Sequence, residues 1–333
     1  MSNLETTPAA SLCGAGSDVA AEPVFEPLDP RRVVLTPRQW SADDGAPAAD
    51  PMSVFRFVPT RGRRMIGAWC FVDFYGPDDV SDDTGMLVPP HPHCGLQTVT
   101  WLLAGEVRHR DSIGSVQLIR PGQLNLMTAG AGISHAETSE RPHSPTLHGV
   151  QLWVALPESE RNRPAAFEHH ADLPVWRAGG VEATVLIGEL AGLRSPATAY
   201  TPLVGADIAI SAGQASSVPL RSEWEHAVLV TSGAVEVEGR LLEHGQMAYL
   251  GCGRTRLSFS AAADARMLLL GGEPFEEEIL MWWNFIARSH AEIVAAREEW
   301  MEGDRFGTVV DFDGDPLPAP PLPPLTLKPR GRV

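Results

Sequence analysis

A chain of 333 residues with 44% hydrophobic content can bury one or two ample cores, and no apolar run in it is long enough to cross a bilayer. Its 42 acidic against 26 basic residues leave a formal net charge of −16, which repels phosphate backbones and argues against direct nucleic-acid binding. The residues before Cys13 form neither a basic n-region nor an apolar h-region, so a cytoplasmic location is expected.

Residues 1–24 lack periodicity and read as a disordered leader. From residue 25 to 160, short β-type runs at 53–58, 97–105, 116–119, 123–128 and 148–156 are separated by Gly, Pro and Asp. Turn signals at that spacing predict an antiparallel barrel. A linker with strands is expected over 161–190, with His169 and His170 on its surface, and a second barrel over 191–307.

Two short segments of the first half carry a metal-binding inventory. His91 and His93 are spaced H-x-H, and His135 and Glu137 are spaced H-x-E. Residues two apart on a strand point the same way, about 6–7 Å apart, so each pair can reach one ion. Three imidazoles and one carboxylate suit Fe(II), Ni(II), Cu(II) or Zn(II), and leave about two open positions on an octahedral ion. Cys13, Cys70, Cys94 and Cys252 show no C-x-x-C spacing and read as free thiols, with Cys94 a small buried neighbour of His93. His109 lies in a His-Arg-Asp string that resembles a kinase catalytic loop, but no companion kinase motif accompanies it, so the match reads as accidental. His143 and His148 could reach the pocket rim but read rather as structural hydrogen-bonding groups, and Gly95, Leu96, Trp101 and Met127 read as pocket walls or core.

The second half repeats the strand, glycine turn and Gly-Gln corner, with Gly233 matching Gly105 and Gly245 matching Gly122. Counted from these anchors, Pro219 and Arg221 stand for His91 and His93, while Ser258 and Ser260 stand for His135 and Glu137. The second copy thus has no ligand set. Ser289 and Glu292 form a capping box before a helix near 289–302, with Gly303 as its stop and Ile293, Ala296 and Trp300 on one apolar face. The Pro-rich tail over 308–333 is expected either to present PxxP ligands or to lie as a strap across its own domain or a neighbouring subunit.

Together, the segments 91–114, 126–137 and 269–274 resemble the pirin family of bicupins, over roughly residues 32–307. The resemblance implies an all-β chain of two antiparallel β-barrel (cupin) domains in tandem, followed by the C-terminal helix and Pro-rich tail. It also implies a mononuclear metal, usually iron, in the first barrel, with His91, His93, His135 and Glu137 as ligands. The activity implied is oxygen-dependent cleavage of a flavonol, of quercetin 2,3-dioxygenase type. A small aromatic substrate and O2 would then be its partners, and Glu137 the acceptor of a substrate proton. A non-enzymatic redox sensor binding a transcription factor or metabolic enzyme is the alternative that the family suggests. Gln97 departs from the general cupin pattern, which has Glu there, and raises the question of tuning around the metal.

Overall fold

The computed structural model describes residues 5, 11–13, 22–35, 52–82 and 85–328. Among them the β-branched and aromatic runs form 26 strands, and a single helix follows. The first barrel sets a seven-stranded antiparallel sheet against a four-stranded one. The larger sheet runs Ala166–His170, Leu124–Thr128, Leu96–Ala104, Thr146–Ala155, Trp69–Asp79, Met52–Val58 and Arg31–Leu35. Its smaller partner runs Leu87–His93, Ile133–Thr138, Val107–Asp111 and Val116–Ile119. The second barrel repeats the plan with an eight-stranded and a four-stranded sheet.

Alternation along the strands gives the large sheet of the first barrel two different faces. Val72, Phe74, Val99, Trp101, Leu126 and Leu152 join a core with Leu229, Met247, Leu268 and Leu270 of the second half. That face glues the barrels together. Trp69 fixes the contact: its indole Nε1 donates to the carbonyls of Val204 at 3.2 Å and Gly271 at 3.1 Å. Gly205 makes room for it, since a Cβ there would stand 3.0 Å from the Trp69 ring.

Strand pairing cuts across the boundaries expected from sequence. Glu26–Leu28 pairs with Met247–Tyr249 in the second barrel, while Ala166–His170, expected in a linker, pairs with Leu124–Thr128 in the first. Each barrel is therefore closed by chain lying outside its own contiguous stretch. Most of the expected leader lies outside the described residues. Of the described part, Ser11–Cys13 pairs with Ile279–Met281, and Glu5 forms an ion pair with Arg31, so these pieces are docked.

The helix spans His290–Glu302, and Ser289 caps it by accepting from the Glu292 amide at 3.3 Å. Its Ile293 and Ala296 are buried against Trp282, Trp283 and Phe285. The tail lies along this helix as a strap on its own chain. Trp300 Nε1 donates to Leu317 O at 2.8 Å, Arg297 Nε to Pro320 O at 2.7 Å, and Leu327 is buried. The Leu317 amide also donates to Pro90 O at 2.8 Å, one residue before His91.

Candidate metal centre

The residues Pro89-Pro90 decide the local geometry of the first ligand strand. Proline has no N–H to give to a ladder, so consecutive prolines favour a bulge. The register shows one: His135 lies opposite His91, but Glu137 lies opposite Val88, three residues back. The carbonyls there take other donors. His91 Nδ1 donates to Pro89 O at 2.7 Å, which fixes the tautomer and leaves the lone pair on Nε2.

His91, His93 and His135 are all buried, and each offers a ring nitrogen lying within 4.8 Å of those of the other two. Their ring centroids are 4.3 Å to 5.0 Å apart. Burial disfavours the imidazolium. It lowers His91 to about 4, although the Pro89 bond and the Glu137 charge pull the other way, and it holds His93 and His135 well below the usual histidine range. All three rings are therefore neutral at physiological pH, as ligation requires. His135 Nε2 is buried without a hydrogen-bond partner among the described residues, an orphan that an ion would satisfy.

Glu137 follows on the same strand and is 1% exposed, but its carboxylate is not among the donors that converge mutually within 4.8 Å. The three histidines are brought together in that cluster, and Glu137 lies two residues after His135 on the same strand. The donor set fits a borderline divalent ion, by nitrogen type, neutrality and spacing.

Behind His135 lies a group for which sequence reading found no role. His109, on Val107–Asp111, sits across from Glu137 in the sheet, and its Nδ1 is 3.3 Å from His135 Nδ1. Its Nε2 is 3.1 Å from Asp111 Oδ2. Asp111 in turn accepts from the Ile113 and Ser115 amides through Oδ1 at 3.1 Å and 2.8 Å. Burial resists ionisation of that carboxyl, but the bonds from His109 and Ser115 outweigh it and hold it below the usual carboxylate range. The H-x-D spacing of His109 and Asp111 was the available signal, hidden by its likeness to another motif.

Opposite the histidines, the inner face of the large sheet is built by cross-strand register. One row reads Phe71, Trp153, Thr98, Met127 and Phe167. Trp153 stacks on Phe71 at 4.0 Å and meets His93 edge-on at 5.1 Å, while Phe167 stacks on His109 at 4.4 Å. The next row reads Arg56, Asp73, Gln151, Thr100, Asn125 and His169, with a bidentate Arg56–Asp73 ion pair at its end. The ligands thus face an aromatic row backed by a polar one.

Other expected positions fall differently. Trp101 turns to the second half, where its Nε1 donates to Asp207 Oδ2 at 3.0 Å, so it does not line the pocket; Met127 lies on the inner face. Gln97 donates both to Thr128 Oγ1 at 2.9 Å and to Thr198 O at 3.0 Å. A glutamate could not donate to that carbonyl, so the amide ties the first barrel to a segment of the second. His148 meets Phe74 at 5.3 Å on the face between the halves, rather than at the pocket rim, and His143 Nδ1 donates to Ser144 O. His169 is part of a sheet strand and bonds Asn125 Oδ1 at 2.7 Å, and His170 pairs with Glu168. Cys94 is buried, with its thiol pushed up to about 11, and is therefore protonated. In the second barrel Ser217 lies opposite Ser258, as His91 lies opposite His135. The connection 220–224 is three residues longer than 94–95 and the strand after it, Glu225–Ser232, is one residue shorter than Leu96–Ala104, so the ungapped count shifts by two residues and Ser217 and Pro219 take the places of His91 and His93. Neither is a ligand type.

Comparison with known proteins agrees with both halves. The profile described as Pirin matches residues 51–154, and that of the Pirin C-terminal cupin domain matches residues 205–307. A Pseudomonas aeruginosa protein provisionally named a quercetin 2,3-dioxygenase is 49% identical over 273 residues, covering 82% of this chain and 86% of its own. A pirin-like protein of Caulobacter vibrioides is 38% identical, covering 75% of this chain and 88% of its own. The crystal structure of a quercetin 2,3-dioxygenase from Acinetobacter baumannii superposes with a TM-score of 0.83 at 40% identity, over 94% of this chain and 99% of that one.

Proposed function

We propose, from the premise that this chain belongs to the pirin family and has two cupin-type domains, that its first barrel is a mononuclear metal-dependent dioxygenase site for flavonol-type substrates. The observation that carries the reading is the convergence of three buried, neutral imidazoles facing an aromatic wall. The 40% identical quercetin 2,3-dioxygenase of the same architecture supports the substrate class.

In this reading His91, His93 and His135 would hold the ion through ring nitrogens, with Glu137 as the fourth ligand. Fe(II) is the ion proposed. When bound it supplies Lewis acidity toward a substrate hydroxyl and one-electron chemistry toward dioxygen. Glu137, buried and carrying the only carboxylate of the set, accepts the proton released from the flavonol 3-hydroxyl. Phe71, Trp153 and Phe167 give a flat apolar surface against which a planar aromatic substrate packs. Full burial of the triad excludes bulk water from the reacting region.

The test is direct. Iron-loaded protein supplied with oxygen and quercetin should bleach the flavonol absorbance, whereas a His93→Ala variant should not. Bleaching no faster than in that variant would refute the assignment.

A further inference from the structure

His109 and Asp111 are not among the three clustered histidines, yet their hydrogen bonds run in series to His135. We infer that this pair is a positioning relay that forces the His135 lone pair onto Nε2, so that the sequence H-x-D at 109–111 belongs to the metal centre as fully as the ligands do. The inference rests on the proposed metal centre, and it names residues that neither the ligand motif nor the fold assigns.

The proton count admits one arrangement when both rings are neutral. Asp111 can only accept, so His109 Nε2 must carry the hydrogen in the 3.1 Å contact. His109 Nδ1 is then a lone pair, and His135 Nδ1 must donate to it across 3.3 Å. The remaining lone pair of His135 sits on Nε2, the buried atom with no partner among the described residues. Stacking of His109 on Phe167, with ring planes 18° apart, holds the middle ring in place. His91 obtains the same tautomer from a single carbonyl, Pro89 O. His135 needs two residues because its Nδ1 faces another ring instead of a carbonyl.

The polarity of the relay is set at its far end. Asp111 Oδ1 is engaged by two backbone N–H groups, so in an Asp111→Asn variant the amide oxygen must stay there and the amide N–H2 must face His109. His109 Nε2 then has to accept. Its proton moves to Nδ1, His135 Nδ1 must accept in turn, and the His135 hydrogen is forced onto Nε2, where it blocks ligation. One nearly isosteric change should thus invert two rings while leaving the turn intact.

Co(II) is a suitable probe because its visible bands report ligand number and type. Asp111→Asn should bind it about 10- to 100-fold more weakly, with altered bands. The thermal midpoint of the metal-free protein should be almost unchanged. Long-range 1H–15N spectra of the metal-free protein should find His135 protonated at Nδ1 in the parent and at Nε2 in the variant. His109→Gln, whose amide oxygen can still accept from His135, should retain more affinity than His109→Leu; this comparison decides the matter if the Asp111 variant does not fold. Equal Co(II) affinity and an unchanged His135 tautomer in Asp111→Asn would overturn the relay. Should the parent protein itself fail to bind Co(II), the metal centre falls, and the tautomer measurement still judges the relay by itself.

Discussion

Asp73→Asn tests the ion pair that closes the polar row inside the first barrel. Arg56 Nε and Nη2 each lie 2.7 Å from an oxygen of Asp73, and the guanidinium stands 4.2 Å over Phe71. Exposure is 1% for Arg56 and 0% for Asp73, so neither charge has water to fall back on. An asparagine can accept from only one of the two guanidinium donors, and its own amide hydrogens face the other. Removing one partner of a buried pair costs about 3–5 kcal/mol, because the remaining charge is left uncompensated. Glu5, 3.3 Å from Arg56 Nη1, recovers part of this, which favours the lower end. At a few degrees per kcal/mol, the thermal midpoint should fall by roughly 6–15 °C, measured by circular dichroism. The double variant Arg56→Met, Asp73→Leu should restore most of the loss, since an apolar pair of similar volume carries no desolvation cost. A midpoint within about 2 °C of the parent for Asp73→Asn would refute the account.

Acid should weaken the fold through His226, which burial holds at about 4, outweighing the backbone bonds to Gly251 and Trp224 that favour the charged ring. The unfolded chain takes up that proton near 6.5, so the stabilisation is complete above that pH and shrinks as pH falls toward 4. Denaturant titrations should show about 2 kcal/mol lost between pH 7 and 5 on this account, and His226→Gln should flatten the slope by that amount; an identical slope would contradict it. Leu327→Ala, which empties a position 3% exposed under the strap, should cost about 2–5 kcal/mol. Ending the chain after Gly314 should lower stability and also speed metal loss in dialysis followed by elemental analysis, because it removes the Leu317 bond to Pro90. Gly95→Ala should destabilise both the turn and the centre: φ there is +73° and a Cβ would lie 2.3 Å from Ile286 O. A stable variant with unchanged metal retention would show that this connection does not position His93.

Local pattern carried a good deal of this protein. The strand runs, the glycine turns between them, the capping box at Ser289 and the H-x-H and H-x-E pairs are all short-range signals, because side-chain alternation and turn conformation depend on residues only a few positions apart. Likewise, the lack of ligand types in the second copy could be read directly, and it held even though the longer 220–224 connection moved the count. What pairs with what could not be read in this way. Glu26–Leu28 and Ala166–His170 change barrels because a strand's partner is chosen by burial of its faces, which distant residues supply. Trp101 and Met127 looked alike as apolar wall candidates, but two positions of opposite parity on paired strands face opposite sides of the sheet. His109 joined the centre only through tertiary contact, since nothing in its own neighbourhood specifies that its ring should lie beside His135. The sequence by itself determined which donors were available and on which strand faces they stood. Only the tertiary structure decided that three of them converge and that Asp111 sets the proton on His135, because hydrogen-bond direction belongs to a network spanning several strands and not to any one of them.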